Sequence, residues 1–234
     1  MVVTVSFFLI ALMWVIFNPA SYDVIFSEVG NEGADYAAEA VSVADENTPL
    51  ATEILEKIEV KGRAPKTGYS REEFYSGWPT VDGCSLRQKI IKREFGDSAV
   101  LDGCNVMAGE FEEPYTGEYK KFSSREEISK GIQIDHVVAL SDAWQKGAQY
   151  LEREKRYEIA TDPLNLLAVD AVANEKKSDG DAATWLPSNK RFRCQYVARQ
   201  VSVKYKYGLW VTEAEKTAIS NILINCPQEP AVGV

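Results

Sequence analysis

Histidine occurs once in the 234-residue chain, methionine three times and cysteine four times. No Cys-x-x-Cys pair exists beside that single imidazole, so a structural zinc site has no ligand set to draw on. No low-complexity tract, collagen period or internal repeat is present. With 45% hydrophobic residues the chain can bury a sizeable core, which excludes a disordered protein and a disulfide miniprotein. Basic residues are short in number, 26 against 35 acidic for a formal net charge of −9. Taken over the whole chain, that deficit argues against a nucleic-acid partner, because binding a polyanion rewards clustered Lys and Arg. The deficit is local, however. Residues 22–60 hold ten acidic residues and one basic residue, Lys57, which leaves 25 of each sign over residues 61–234.

Three segments follow from this distribution. Val2 to Phe17 is uncharged and mostly apolar, and Asn18-Pro19 ends it. At about 1.5 Å per residue it spans about 24 Å, a little short of a hydrocarbon core of about 30 Å. Residues 1–21 therefore read as a signal peptide or an N-terminal membrane anchor, with no polar face to suit a buried core helix. Residues 22–60 read as an acidic flexible spacer, kept extended by like charges. Folded sequence is expected from near Val60, as one domain over 61–234.

The four cysteines, Cys84, Cys104, Cys194 and Cys226, are an even set behind an export segment and imply disulfides formed in an oxidising compartment. Three pairings are possible. The sequential one, Cys84–Cys104 and Cys194–Cys226, is expected because each bridge would staple a local helix-containing segment. Coarse periodicity gives an α+β chain. Ser85–Phe95 has helical spacing of Leu86, Ile90 and Ile91. Pro114–Gly117 reads as a turn between short pairing segments, and Ile132–Leu140 as a strand. Helices are expected at about 141–158, 171–177, 189–207 and 213–224, the last capped by Thr212 with an acidic first turn.

His136 stands in Ile134-Asp135-His136-Val137-Val138. A lone histidine is more often structural than catalytic. Adjacent Asp and His on a strand, however, point to opposite faces, and a charged pair there is costly to bury unless something uses it. Asn165 opens a second apolar stretch, and Asn174 follows on an expected helix in Asn174-Glu175-Lys176-Lys177-Ser178-Asp179.

The order Asp-His, then Asn-Leu, then Asn-x-x-Lys-x-Asp resembles the HNH, or ββα-metal, endonuclease motif. More closely, Lys61 to Cys226 resembles the secreted HNH-type proteins of the DUF1524 family. The matching pieces are VKGRAPKTGYSREEF, GCSLRQKIIKRE, PYTG, IDHVVALSDAWQKGA, TDPLNLLAV, NEKKSD and TWLP. The resemblance implies a ββα-metal core surrounded by additional helices, and a hydrolase cutting phosphodiester bonds of DNA, with RNA second, at low sequence specificity. It implies His136 as the general base and Asn165 as the residue that orients the imidazole. Asp135 and Asn174 would be the ligands of one divalent ion, Mg²⁺ by its preference for hard oxygen donors. Four positions depart from the family pattern: Ala139 for a proline, Ser85 for an acidic residue, Thr161 for an asparagine and Ser178 for a glycine. None is a core catalytic position.

Residues 182–212 carry six basic side chains and no acidic one, interleaved with aromatics. Such a mix suits phosphates and stacked bases, and equally suits a solvated basic face over an aromatic core. Arg87, Lys177, Lys190, Arg191 and Arg193 are the candidate substrate contacts. The run Lys61, Arg63, Lys66 and Arg71 has the same two readings, whereas Trp78, Trp144 and Trp185 read as core. The expected partners are a nucleic-acid substrate and, for the N-terminal segment, a membrane. The expected location is extracellular, secreted or on the outer face of a bacterial cell membrane. Two other functions fit the same residues: a non-catalytic cell-surface module binding nucleic acid or envelope, and a phosphoesterase acting on small nucleotides or wall polymers.

Overall fold

The computed structural model describes residues 48–233. The apolar run 2–17 and the spacer up to residue 47 lie outside the described residues. Among the described residues no helix is long and apolar enough to cross a membrane.

The architecture is α+β. Its centre is a pair of antiparallel strands, β6 (Ile132–His136) and β7 (Leu166–Asp170), with Ile132 opposite Asp170 and His136 opposite Leu166. A helix, α6 (Ala171–Lys177), follows β7 without a loop and completes a ββα unit. Asp170 sets that junction, because its side chain accepts a hydrogen bond from Ala173 N at 2.8 Å and caps the helix. Helix α6 ends at Ser178, whose φ of +51° is a conformation open mainly to glycine. The glycine expected there is therefore replaced by a residue that holds the same turn under strain. Ala139 has φ −56°, within the range a proline ring imposes.

Both faces of the β6–β7 pair are covered, which explains the unbroken apolar run Leu166–Val169. On one face Ile132, Leu166 and Ala168 meet Leu86, Ile90, Ile91 and Phe95 of α2 (Leu86–Phe95). The same cluster takes Val106 and Phe111 of β4 (Asn105–Glu112). On the other face Leu167 and Val169 join Tyr196, Val197 and Val201 of α7 (Arg193–Lys206) and Ile219 and Leu223 of α8 (Glu213–Leu223). Strand β4 pairs with β3 (Val100–Asp102) and with β5 (Tyr119–Phe122), so the turn expected at Pro114–Gly117 closes a hairpin. A short ribbon, β1 (Thr80–Val81) with β2 (Cys84–Ser85), precedes α2. The helix α3 (Arg125–Gly131) leads into β6. The disulfides are Cys84–Cys104 and Cys194–Cys226, as expected.

Three expectations are corrected. The fold begins before Val60: α1 (Ala51–Lys57) buries Ala51, Ile54 and Leu55, with Ile58 following, against α7 and α8. Its acidic surroundings masked a three-residue apolar face. The chain ends also meet there, with Ala51 N bonded to Glu229 O at 2.9 Å and Ala231 N to Pro49 O at 2.8 Å. The strand expected over 132–140 stops at His136, and α4 (Leu140–Gln145) begins within it. The single helix expected at 141–158 is broken. Gly147 (φ +121°) turns the chain against the Trp210 ring, and α5 (Arg153–Thr161) starts afresh. A Cβ at Gly147 would lie 3.1 Å from that ring.

Candidate active site

A cleft of about 350 Å³ opens over the end of β6. Asp135 and His136 line it from the strand, Asn174 from α6, Ser141 from α4, and Lys66 and Arg71 from the segment ahead of β1. Alternation along β6 sends the two adjacent side chains different ways, as their contacts record. His136 packs against Tyr75 (ring centroids 5.8 Å apart) and stacks on Trp78 (6.0 Å, 10° between planes). Asp135 turns to the α6 and α7 side, where it meets Tyr115 and Lys177.

The imidazole is 3% exposed and its Nε2 lies 2.9 Å from the Ala160 carbonyl. A carbonyl only accepts, so Nε2 carries the proton and Nδ1 is left as the basic nitrogen. Burial pushes its pKa down to about 3, against the Ala160 bond and with the charges of Arg71 and Lys177. The ring is thus neutral at any ordinary pH, the state a general base requires.

Asn165 was expected to hold the imidazole, but its fully buried amide does other work. Its Oδ1 accepts from Val138 N at 2.8 Å, and its Nδ2 donates to the carbonyls of Val138 and Ile159 at 3.3 and 3.0 Å. It clamps the chain that leaves His136 onto the end of α5, which carries Ala160. The tautomer is therefore set by Ala160, and Asn165 holds the two segments that bring Ala160 and His136 together.

Asp135 is almost fully engaged by the protein. The Tyr115 hydroxyl donates to Oδ2, and the Lys177 ammonium donates to Oδ1 at 2.9 Å and to the His136 carbonyl at 2.9 Å. Burial raises the Asp135 pKa, opposed first by Lys177 and then by the Tyr115 bond. Tyr115 is raised well above its ordinary value by burial and by the facing carboxylate. The turn that delivers Tyr115 is built around buried Glu113, which accepts from the backbone nitrogens of Tyr115, Thr116 and Asp170. Asn174 donates from Nδ2 to Gln133 Oε1 at 2.7 Å, and its Oδ1 is left without a described partner.

These groups fit a hard divalent cation in kind. The Asn174 Oδ1 has no described partner, and Asp135 supplies a carboxylate, although Tyr115 and Lys177 already hold its two oxygens. Among the described residues, three or more His, Cys, Asp or Glu donors converge only at Cys194, Cys226 and Glu229, where both cysteines are in a disulfide.

The expected substrate contacts are scattered. Lys177 is buried on Asp135. Arg87 is half-buried and donates to Ile132 O at 3.2 Å. Lys190, Arg191 and Arg193 are not among the residues lining the cleft. Arg193 donates to Pro187 O, and Arg191 borders a separate hollow with Glu112 and Phe192. Much of the basic run 182–212 is spent within the fold, Lys204 on Asp142 and Glu215, and Lys206 on Asp162. The cations that do line the cleft are Lys66, paired with Asp179 at 3.0 Å, and Arg71, from the run whose role composition left open. Tyr75 and Trp78 flank His136; Trp78 carried no signal beyond its read as core.

The chain matches the family model for the GmrSD restriction endonucleases, C-terminal domain, over residues 86–222. It is 34% identical over 180 residues to a protein of Arthroderma benhamiae named as an uncharacterized secreted protein, a span covering 75% of this chain and 84% of that one. No solved structure matches the chain significantly. With more than half of its length matched, the chain belongs to the GmrSD restriction endonuclease C-terminal domain family, a family of nucleases.

Proposed function

We propose that the protein is a secreted endonuclease that hydrolyses phosphodiester bonds of nucleic acid, DNA foremost and RNA second, with little sequence preference. The observation that carries this is the imidazole of His136, its Nε2 on the Ala160 carbonyl, in a cleft that also holds Asp135, Asn174, Lys66 and Arg71. His136 takes the proton of the attacking water at Nδ1. Lys66 and Arg71 draw the substrate's phosphates into the cleft. Asn165 keeps Ala160 and His136 in register. Asp135 and Asn174 would hold a divalent ion, as nucleases typically do, and Mg²⁺ suits their oxygen donors. Such an ion, when bound, supplies positive charge to the scissile phosphate. Secretion is supported by the two disulfides and by the fungal relative, which is named as a secreted protein.

The test is incubation of the purified full chain with plasmid and with a single-stranded oligonucleotide, in Mg²⁺ or in EDTA. Cleavage is expected in Mg²⁺ only, and His136→Ala should lower it by a factor of about 10²–10⁴. Cleavage undiminished by His136→Ala, or none by the unaltered protein, would refute the mechanism.

A second reading draws on one observation. With Asp135 already held by Lys177 and Tyr115, the scaffold could bind nucleic acid without cutting it. Binding that EDTA leaves unchanged, with no cleavage in any divalent ion, would favour that reading.

A further inference from the structure

Beside the cleft lies a second hollow, of about 570 Å³, that the hydrolytic chemistry does not use. Phe74, Tyr75, Gly77 and Pro79 line one side, and Arg153 and Tyr157 of α5 the other. It is built in advance. Arg156 ties its two walls together, donating from Nε to Glu73 O at 2.9 Å and pairing with the Glu73 carboxylate at 3.1 Å. The Tyr157 side of α5 is open to solvent, with that residue 43% exposed, so an arriving ring has an aromatic face to stack on. Arg153 is exposed and pairs with no described carboxylate. Tyr75 of the hollow's lining also borders the catalytic residues: its ring packs on His136 and lies under the Arg71 guanidinium (5.8 Å to its centroid). Arg71 itself lines the cleft.

From this adjacency we infer that the hollow receives an unpaired nucleobase of the strand being cut, next to the scissile phosphate. The protein would then favour single-stranded or frayed nucleic acid over an intact duplex. The inference rests on the phosphodiesterase reading of the cleft. A phosphate at His136 leaves the adjoining sugar at the Tyr75–Arg71 boundary, and its base can enter the hollow only when it is out of a helical stack. Tyr157 offers a sequence-tolerant stacking face, and Arg153 a contact for the following phosphate. Glu154 and Glu158, also in the lining, can accept from the exocyclic amino groups of bases.

The experiment measures binding separately from cleavage. The full chain carrying His136→Ala is titrated, by fluorescence anisotropy, against a labelled single-stranded 12-mer and its duplex. A third probe is a 12-mer with abasic sites throughout. The single strand should bind tighter than the duplex. Adding Tyr157→Ala should weaken single-strand binding by about 5- to 150-fold, the effect of losing one stacked base. It should leave duplex and abasic binding unchanged, and Tyr157→Phe should restore the single-strand affinity. Equal affinity for single strand and duplex, or no effect of Tyr157→Ala, would overturn the inference. Cleavage by the unaltered protein with no Tyr157 dependence would sink the base hollow alone. Tyr157-dependent strand binding without any cleavage would sink the nuclease reading and leave the hollow standing.

Discussion

Substitution of Lys146 by methionine tests the energetics of the scaffold most directly. Lys146 is 0% exposed, and its ammonium lies 2.7, 2.7 and 2.6 Å from carboxylate oxygens of Asp142, Asp181 and Glu215. Arg63 also reaches Asp142 and Asp181, and Lys204 reaches Asp142 and Glu215. Three cations balance three anions, and they join the N-terminal run, α4, the loop after α6, α7 and α8. Lys146→Met preserves length and apolar packing but leaves one negative charge buried without compensation. Removing one partner from a buried ion pair costs about 3–5 kcal/mol. With a urea m-value of about 2 kcal/mol/M, the unfolding midpoint should fall by about 1.5–2.5 M. Tryptophan fluorescence during urea titration reads it. The control is Lys130→Met, whose pair with Glu126 is 76% and 77% exposed and should cost under about 1 kcal/mol. If the two variants unfold at the same urea concentration, the cluster does not stabilise the fold as argued. The pH sign follows from the same contacts. Although burial pushes Asp181 up, Lys146 and Arg63 pull it down to about 2, while Lys204 is raised by Asp142 and Glu215 over the opposing effect of burial. The Asp181 contribution is therefore present above the ordinary carboxylate value of 3.8 and lost as pH falls towards 2. The Lys204 contribution is present below the ordinary lysine value of 10.5 and lost only as pH rises through its raised value.

Two further outcomes are expected. Asn165→Ala should destabilise by about 2–3 kcal/mol, because Val138 N and two buried carbonyls lose their partner. A thermal melt checks this, and an unchanged Tm would mean the clamp is redundant. The His136 pKa, lowered from 6.5 to about 3, predicts hydrolysis that stays flat from neutral pH down through pH 5. A pH–rate profile with its acid limb at the ordinary histidine value would contradict the buried, neutral base. The stability sign runs the same way: the unfolded chain protonates His136 below 6.5, so the folded state loses stability as pH falls from there towards 3.

What was legible in the sequence was local or carried by motif. The helical spacing of Leu86, Ile90 and Ile91, the Thr212 cap, the Pro114–Gly117 turn and the sequential disulfides all stand. His136, Asp135 and Asn174 do come to one cleft. Long-range destinations were not legible. Lys177 and Arg193 read as substrate cations because composition does not show which carboxylate or carbonyl lies opposite after folding. The acid of residues 22–60 hid α1, since three apolar side chains suffice to seat a two-turn helix on a waiting core. The role of Asn165 was misassigned for a related reason. Its amide acts on backbone groups, which leave no trace in residue identity.

The antiparallel bridge between Leu50 and Pro230 gives the domain a ring-like connectivity. The first and last segments of the described domain are therefore neighbours. Rejoining the ends with a few flexible residues and reopening the chain at an exposed turn should therefore return the same domain. A trimmed chain beginning at residue 61 would instead lose one side of that closure together with α1.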